Sequence, residues 1–178
     1  MKVSANPKSD GLIKTALIAA IYALLSFPFS PLSFGATQVR IAEALTILPA
    51  LGPGMVGGLA LGCVVTNLYG VMNGIDFAWD ILIGSATTFV AGIFTYRCRN
   101  ILFKGLPMIG CLPPILLNAV VIGAEITLKE TGMNWVWPVL LKNILTVGTG
   151  QAVSCLVLGL PLFMLLKATI FRDDSGES

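Results

Sequence analysis

The chain contains no histidine, and only 11% of its 178 residues carry charge. Without histidine there is no His-based acid–base chemistry, no His metal site and no Ser-His or Cys-His nucleophile pair. The four cysteines (Cys63, Cys98, Cys111 and Cys155) are scattered, with no CxxC spacing, so neither a disulfide framework nor a zinc site is expected. Their small apolar side chains read as packing between helices. No Gly-x-x-x-x-Gly-Lys-[Ser/Thr] loop is present, so the chain itself holds no P-loop for ATP. A net charge of +2 is too small to point to nucleic acid. A soluble domain has about twice the 11% share of charged residues found here.

In place of charge there are apolar runs. Hydrophobic residues make up 56% of the chain, and mean hydropathy is +0.88. The runs reach the length of about 20 residues that a hydrocarbon core requires. An all-α integral membrane protein is expected, with six transmembrane helices at about 13–30, 40–51, 55–71, 77–96, 107–127 and 138–168. The last is long enough to tilt, to project from the membrane or to bend near Gly148, Gly150 or Pro161. Residues 1–12 and 169–178 read as polar tails of a single membrane domain spanning 1–178. The first run reads as a retained span, because Ser33-Phe34-Gly35-Ala36 is a poor cleavage site.

Lys and Arg favour the cytoplasmic side of membrane proteins. With the N-terminus inside, Lys2, Lys8, Lys14, Arg97, Arg99, Lys104, Lys167 and Arg172 lie inside, against Arg40, Lys129 and Lys142 outside. Both termini are then cytoplasmic. Trp135 and Trp137 fall at the outer interface, as membrane anchors or as ligand contacts.

Polar residues are costly in lipid and must be paired, wet or useful. Arg40 and Glu43 sit one turn apart, with no charge between Lys14 and Arg40 or between Glu43 and Asp76. The threading puts both at the outer rim. Asn67, Asp80, Asn118, Glu125, Lys142, Asn143 and Gln151 aim at the same outer region from other helices. This pattern reads as a capped pocket rather than a channel. Some members have plainer roles: Asp76 as a helix cap, Lys129 and Glu130 as solvated loop charges, Lys142 snorkelling outward, Arg40–Glu43 as a structural ion pair. On the first helix, Ala16 with Ala20 and Ala19 with Ala23 give small residues at four-residue spacing, which allows close helix contact.

The block Gln38-Val39-Arg40-Ile41-Ala42-Glu43-Ala44-Leu45-Thr46-Ile47-Leu48-Pro49 resembles the signature of the QueT family. So do Gly62-Cys63-Val64-Val65-Thr66-Asn67-Leu68-Tyr69-Gly70, Asp80-Ile81-Leu82-Ile83-Gly84-Ser85, and Pro114 to Asn118 with Gly123-Ala124-Glu125. The resemblance covers about 12–168; Ala42 stands where the family pattern has serine. It implies the substrate-binding S component of an energy-coupling-factor (ECF) transporter, in a bacterial plasma membrane as a multi-pass protein. The implied substrate is a queuosine precursor (queuine or another 7-deazaguanine). The implied partners are a membrane coupling subunit and two cytoplasmic ATPases, with Ala16, Ala19, Ala20 and Ala23 resembling the docking patch. The chain then needs no cofactor of its own and is not an enzyme.

For such a ligand, a carboxylate can accept the paired N–H groups of a guanine-like edge, and an asparagine can both donate and accept. Glu125 or Glu43 is expected at the base edge, and Asp80 at a cationic substituent or an internal partner. Arg40 is expected to orient a carboxylate. Alternatives are an S component for another vitamin-like molecule and a stand-alone secondary transporter. The second lacks an inverted repeat and a polar inner half.

Overall fold

Backbone polar groups in lipid must be satisfied locally, which favours helices. The computed structural model describes residues 7–27, 40–75 and 77–173, and among these the regular elements are helical. Six helices follow one another among the described residues. They are α1 (Pro7–Ser26), α2 (Ile41–Leu51), α3 (Gly54–Met72), α4 (Asp80–Arg97), α5 (Met108–Glu130) and α6. The last runs from Trp137–Ala152 through Val153–Gly159 to Leu160–Asp173. Gly54–Met72, Met108–Glu130 and Trp137–Thr169 are long and apolar enough to cross a membrane.

The bounds differ from expectation at the tails. Helix α1 begins at Pro7, within the expected polar tail; proline is well suited to a first helical position. At the other end α6 continues to Asp173. The Asp76 cap, residues 28–39 with the poor cleavage site, and the side chains of Lys2, Lys8 and Arg172 lie outside the described residues.

Helix α2 departs most. It is wound as a 3₁₀ helix, and the eight residues Ala42–Pro49 are all buried. Glu43 N–H donates to the Arg40 carbonyl at 2.9 Å, and the Thr46 hydroxyl to the Glu43 carbonyl at 2.6 Å. The tighter winding stretches eleven residues to about 22 Å rather than about 16 Å. A segment too short to span as an α-helix thus runs deep into the bundle.

Close backbone approach frames this core. Helices α1 and α3 run parallel, with Thr15 beside Gly54 and the tilted rings of Phe27 and Tyr69 in contact, centroids 4.5 Å apart. A Cβ on Gly62 would stand 2.7 Å from the Tyr22 Cβ, so only glycine permits this contact. Likewise, a Cβ on Gly159 would lie 2.8 Å from the Ala44 carbonyl, where α6 meets α2.

Helix α6 is irregular at Val153–Gly159, where it widens to π winding ahead of Pro161. Proline has no N–H to continue the ladder, and a π segment absorbs the mismatch. The expected irregularity near Gly148, Gly150 or Pro161 therefore falls between them. Helix α5 has a shorter π segment at Asn118–Ile122.

The outside of the bundle is apolar. Leu12, Leu17 and Leu24 on α1, Leu82 on α4 and Leu116 on α5 are more than half exposed, while Glu43, Asn67, Asn118, Asn143 and Gln151 are buried. This inversion suits a lipid surround, since water would not tolerate so large an apolar surface. Asp80, Met72, Glu130 and Trp137 lie at one end, tied by Lys129 Nζ donating to the Ile75 carbonyl at 2.7 Å. Arg97, Lys104, Met108 and Lys167 lie toward the other.

Candidate functional site

Glu43 and Asp80 carry carboxylates into the interior by different routes. Glu43 is brought there by α2 and is 1% exposed. The Tyr22 hydroxyl donates to its Oε1 at 2.5 Å, and the Gln151 amide donates to its Oε2 at 3.0 Å. These donors come from α1 and α6, and each carboxylate oxygen is taken. The neighbouring Thr46 hydroxyl and Cys155 thiol lie 3.3 Å apart, and the Gln151 amide also reaches the Cys155 sulfur at 3.4 Å. Arg40 is half-buried at the start of α2, close enough to act electrostatically on Tyr22.

The depth of Glu43 corrects the sequence reading. Of its neighbours, Cys63 lies at the middle of α3 and Gln151 inside the long α6, while Tyr22 reaches Glu43 from the last turns of α1. Helix periodicity indicates the face of Glu43 but not its level, which follows from the short α2 being enclosed by longer helices.

Asp80 is placed by the first turn of α4 and is 9% exposed. Its Oδ2 accepts the Phe77 backbone N–H at 2.8 Å, which fixes the approach to the helix. Its Oδ1 is buried without a hydrogen-bond partner among the described residues. Asn67, on α3 and 2% exposed, donates from Nδ2 to the Asp80 backbone carbonyl at 2.7 Å. A carbonyl acceptor at that distance fixes which end of the amide faces it. Asn67 Oδ1 is therefore the remaining acceptor, and it too is buried without a partner among the described residues. Glycine at 84 permits this pairing, because a Cβ there would stand 2.5 Å from Asn67 Nδ2.

Cys63 joins the two carboxylate regions. Its thiol accepts from Asn67 Nδ2 at 3.6 Å and from the Thr88 hydroxyl at 3.5 Å, and it lies against Tyr22. A polar path thus runs Asp80–Asn67–Cys63–Tyr22–Glu43–Gln151 across five helices. The sequence reads Cys63 and Cys155 as packing alone. Both are fully buried, yet their sulfurs also serve polar neighbours. Tyr22 escapes a search for charged and amide groups, although a tyrosine buried in an apolar helix needs a hydroxyl partner.

The other expected residues separate from this path. Asn118 Nδ2 donates to Pro114 O of its own helix at 2.9 Å. Asn143 Nδ2 donates to Thr127 Oγ1 at 3.1 Å and Glu130 Oε2 at 3.2 Å, and Lys142 pairs with the same Glu130 oxygen at 3.6 Å. Lys142, Asn143 and Glu130 therefore tie α5 to α6, with the Lys142 and Glu130 side chains still exposed, as expected of an outward-reaching lysine and a solvated carboxylate. Glu125 is half-buried on α5 and, like Arg40, has an interaction of its own. Lys129, read as solvated, holds the Ile75 carbonyl and lies 4.9 Å from the Phe77 ring centroid. Trp135 and Trp137 are 60% and 76% exposed. On α1, Ala19 and Ala23 are buried inside the chain, while Ala16 and Ala20 are exposed. Helix α1 thus turns the Ala19–Ala23 pair towards the chain's own core and the Ala16–Ala20 pair outward.

Span-length apolar helices with an apolar exterior around a buried polar path define a membrane protein. The model of the family described as QueT transporter matches residues 12–168. The chain belongs to the QueT transporter family. Neither the curated proteins nor the solved structures contain a match to it.

Proposed function

We propose that the chain is the substrate-binding S component of an ECF importer and captures a queuosine precursor, queuine or another 7-deazaguanine. In this reading the six helices cross a bacterial plasma membrane with both termini in the cytoplasm. The Asp80 end then faces outward. A membrane coupling subunit and two cytoplasmic ATPases supply the energy, with Ala16 and Ala20 offering the exposed small-residue contact. This chain performs no catalysis and carries no cofactor.

The observation that carries the reading is the pair of empty acceptors, Asn67 Oδ1 and Asp80 Oδ1, buried where α3 meets the start of α4 without partners among the described residues. Buried acceptors are satisfied in most native proteins, and leaving one empty costs about 1–3 kcal/mol. A ligand rich in N–H donors would relieve both. A 7-deazaguanine presents adjacent donors on its base edge, and a cationic amine in some precursors. Asp80 supplies a carboxylate oxygen and Asn67 an amide oxygen for them. This moves base recognition from Glu43, whose oxygens are occupied, to the α3–α4 pair. Asn118, Glu125, Arg40 and Trp135 remain candidate contacts on the other walls, with Lys142 and Asn143 holding the α5–α6 side.

Calorimetry on the purified protein tests this reading. Queuine, 7-cyano-7-deazaguanine and 7-aminomethyl-7-deazaguanine are titrated, with guanine, thiamine, folate and tryptophan as competitors. Binding of a deazaguanine in preference to the competitors is expected. Preference for thiamine or folate would make the chain an S component for another vitamin-like molecule. Transport that survives ATP depletion, with no coupling subunit or ATPase co-purifying, would instead point to a stand-alone secondary transporter.

A further inference from the structure

We propose that the groove between the Lys104–Gly105 turn and the end of α6 binds the headgroup of an anionic phospholipid. It has a volume of about 450 Å³ and is walled by Lys104, Leu106, Phe163, Met164 and Lys167. It lies at the opposite end of the bundle from Asp80 and does not depend on the substrate reading.

Two cations reach the groove from distant parts of the chain, and no carboxylate lines it among the described residues. Each ammonium lies over an aromatic ring, Lys104 at 5.8 Å from the Phe103 centroid and Lys167 at 5.9 Å from the Phe163 centroid. Ring faces hold cations weakly at exposed sites, so a phosphate can draw both lysines away. The turn that presents Lys104 is held in place. Phe103 and Leu106 exchange backbone hydrogen bonds of 2.9 and 3.0 Å. Lys104 and Gly105 both take positive φ (51° and 79°), as a two-residue type I′ turn requires. Glycine meets this readily, but lysine meets it at a conformational cost.

The apolar wall selects the occupant. A free phosphate would use only the lysines, whereas Leu106 and Met164 offer surface to a glycerol backbone. Leu165, 67% exposed beside Met164, continues that surface along the lipid-facing side of α6. Arg97 and Arg99 end α4 at the same end of the molecule, with the Arg99 guanidinium 4.0 Å from the Tyr96 ring centroid. The positive field of this end matches the anionic inner leaflet.

The test uses delipidated full-length protein in neutral detergent. Phosphatidylglycerol and phosphatidylcholine are titrated separately, and bound lipid is counted by native mass spectrometry. Phosphatidylglycerol should bind preferentially. At about fivefold per lysine, the double variant Lys104→Gln/Lys167→Gln should lose roughly thirtyfold. Lys14→Gln, an exposed lysine on α1, should change nothing. Both variants should melt at the wild-type temperature, because these side chains are exposed. Equal binding of the two lipids, or an unchanged double variant, overturns the proposal. So does displacement of the lipid by millimolar inorganic phosphate, which would identify a simple ion site.

Discussion

Glu43 and Asp80 are both buried carboxylates in an apolar bundle, and their surroundings treat them in opposite ways. Glu43 is deep, and hydrogen bonds from Tyr22 and Gln151 close both its oxygens. Asp80 is nearer an end of the bundle, and only Oδ2 is engaged, by its own helix start. Burial is nearly the same, so burial does not separate structural from recognition roles. The number of occupied lone pairs does. A saturated carboxylate braces three helices, whereas a half-saturated one beside another empty acceptor has capacity left for a ligand.

Substitution at Asp80 should break this comparison most sharply. Asp80→Asn can keep the Phe77 N–H bond while replacing the empty oxygen with a donor. A charge-assisted bond is worth about 1.5–3 kcal/mol, so affinity for the deazaguanine should fall about 10- to 100-fold. Calorimetry measures it, and wild-type affinity would remove Asp80 from the site.

Glu43→Gln should act on stability instead. Its amide can give its oxygen to the Gln151 amide and its N–H to the Tyr22 oxygen, but both bonds lose their charge assistance, at a cost of about 1–3 kcal/mol. A lowered melting temperature is expected, with affinity held within about threefold of wild type, a shift below the value of one ordinary hydrogen bond. A large affinity loss in a stable Glu43→Gln protein would reverse the two roles.

Gly84→Ala sharpens the contrast without touching either carboxylate. The new methyl would displace Asn67 Nδ2 from the Asp80 carbonyl. Loss of one neutral hydrogen bond and its geometry should lower affinity about fivefold, while leaving the Glu43 brace intact. The smallest effects should come from Asn118→Ala and Glu125→Gln. Each should weaken binding a few-fold without unfolding, as a contact at the edge of the site would. Unchanged titrations for both would confine the site to α3 and α4.

Much of the fold was legible in apolar run length, because lipid imposes a length and a helical backbone on each run. Helix α3 lies where Gly52-Pro53-Gly54 and Asn73-Gly74 bracket it, and α5 starts just after Pro107, since proline and glycine punctuate helices. The set of polar residues was legible too, since Asn67, Asp80 and Glu43 stand out in apolar surroundings. The 3₁₀ winding of α2 was not, because it follows from the space left by Gly159 and the neighbouring helices rather than from local propensity. Nor was the use of Lys142 and Asn143 as a tie between α5 and α6, which needed Glu130 to swing back from the end of α5.

Composition, run length and motif blocks made this chain helical, apolar on its outside and a member of the QueT transporter family. They also marked which residues could not be idle in lipid. Packing assigned those residues their work. Tyr22, Glu43 and Gln151 are far apart in the chain and meet because α2 sinks between α1 and α6. Periodicity reports the face a side chain occupies on its own helix. It carries no record of the depth or rotation of one helix against another, and those two variables leave Asp80 open and Glu43 closed.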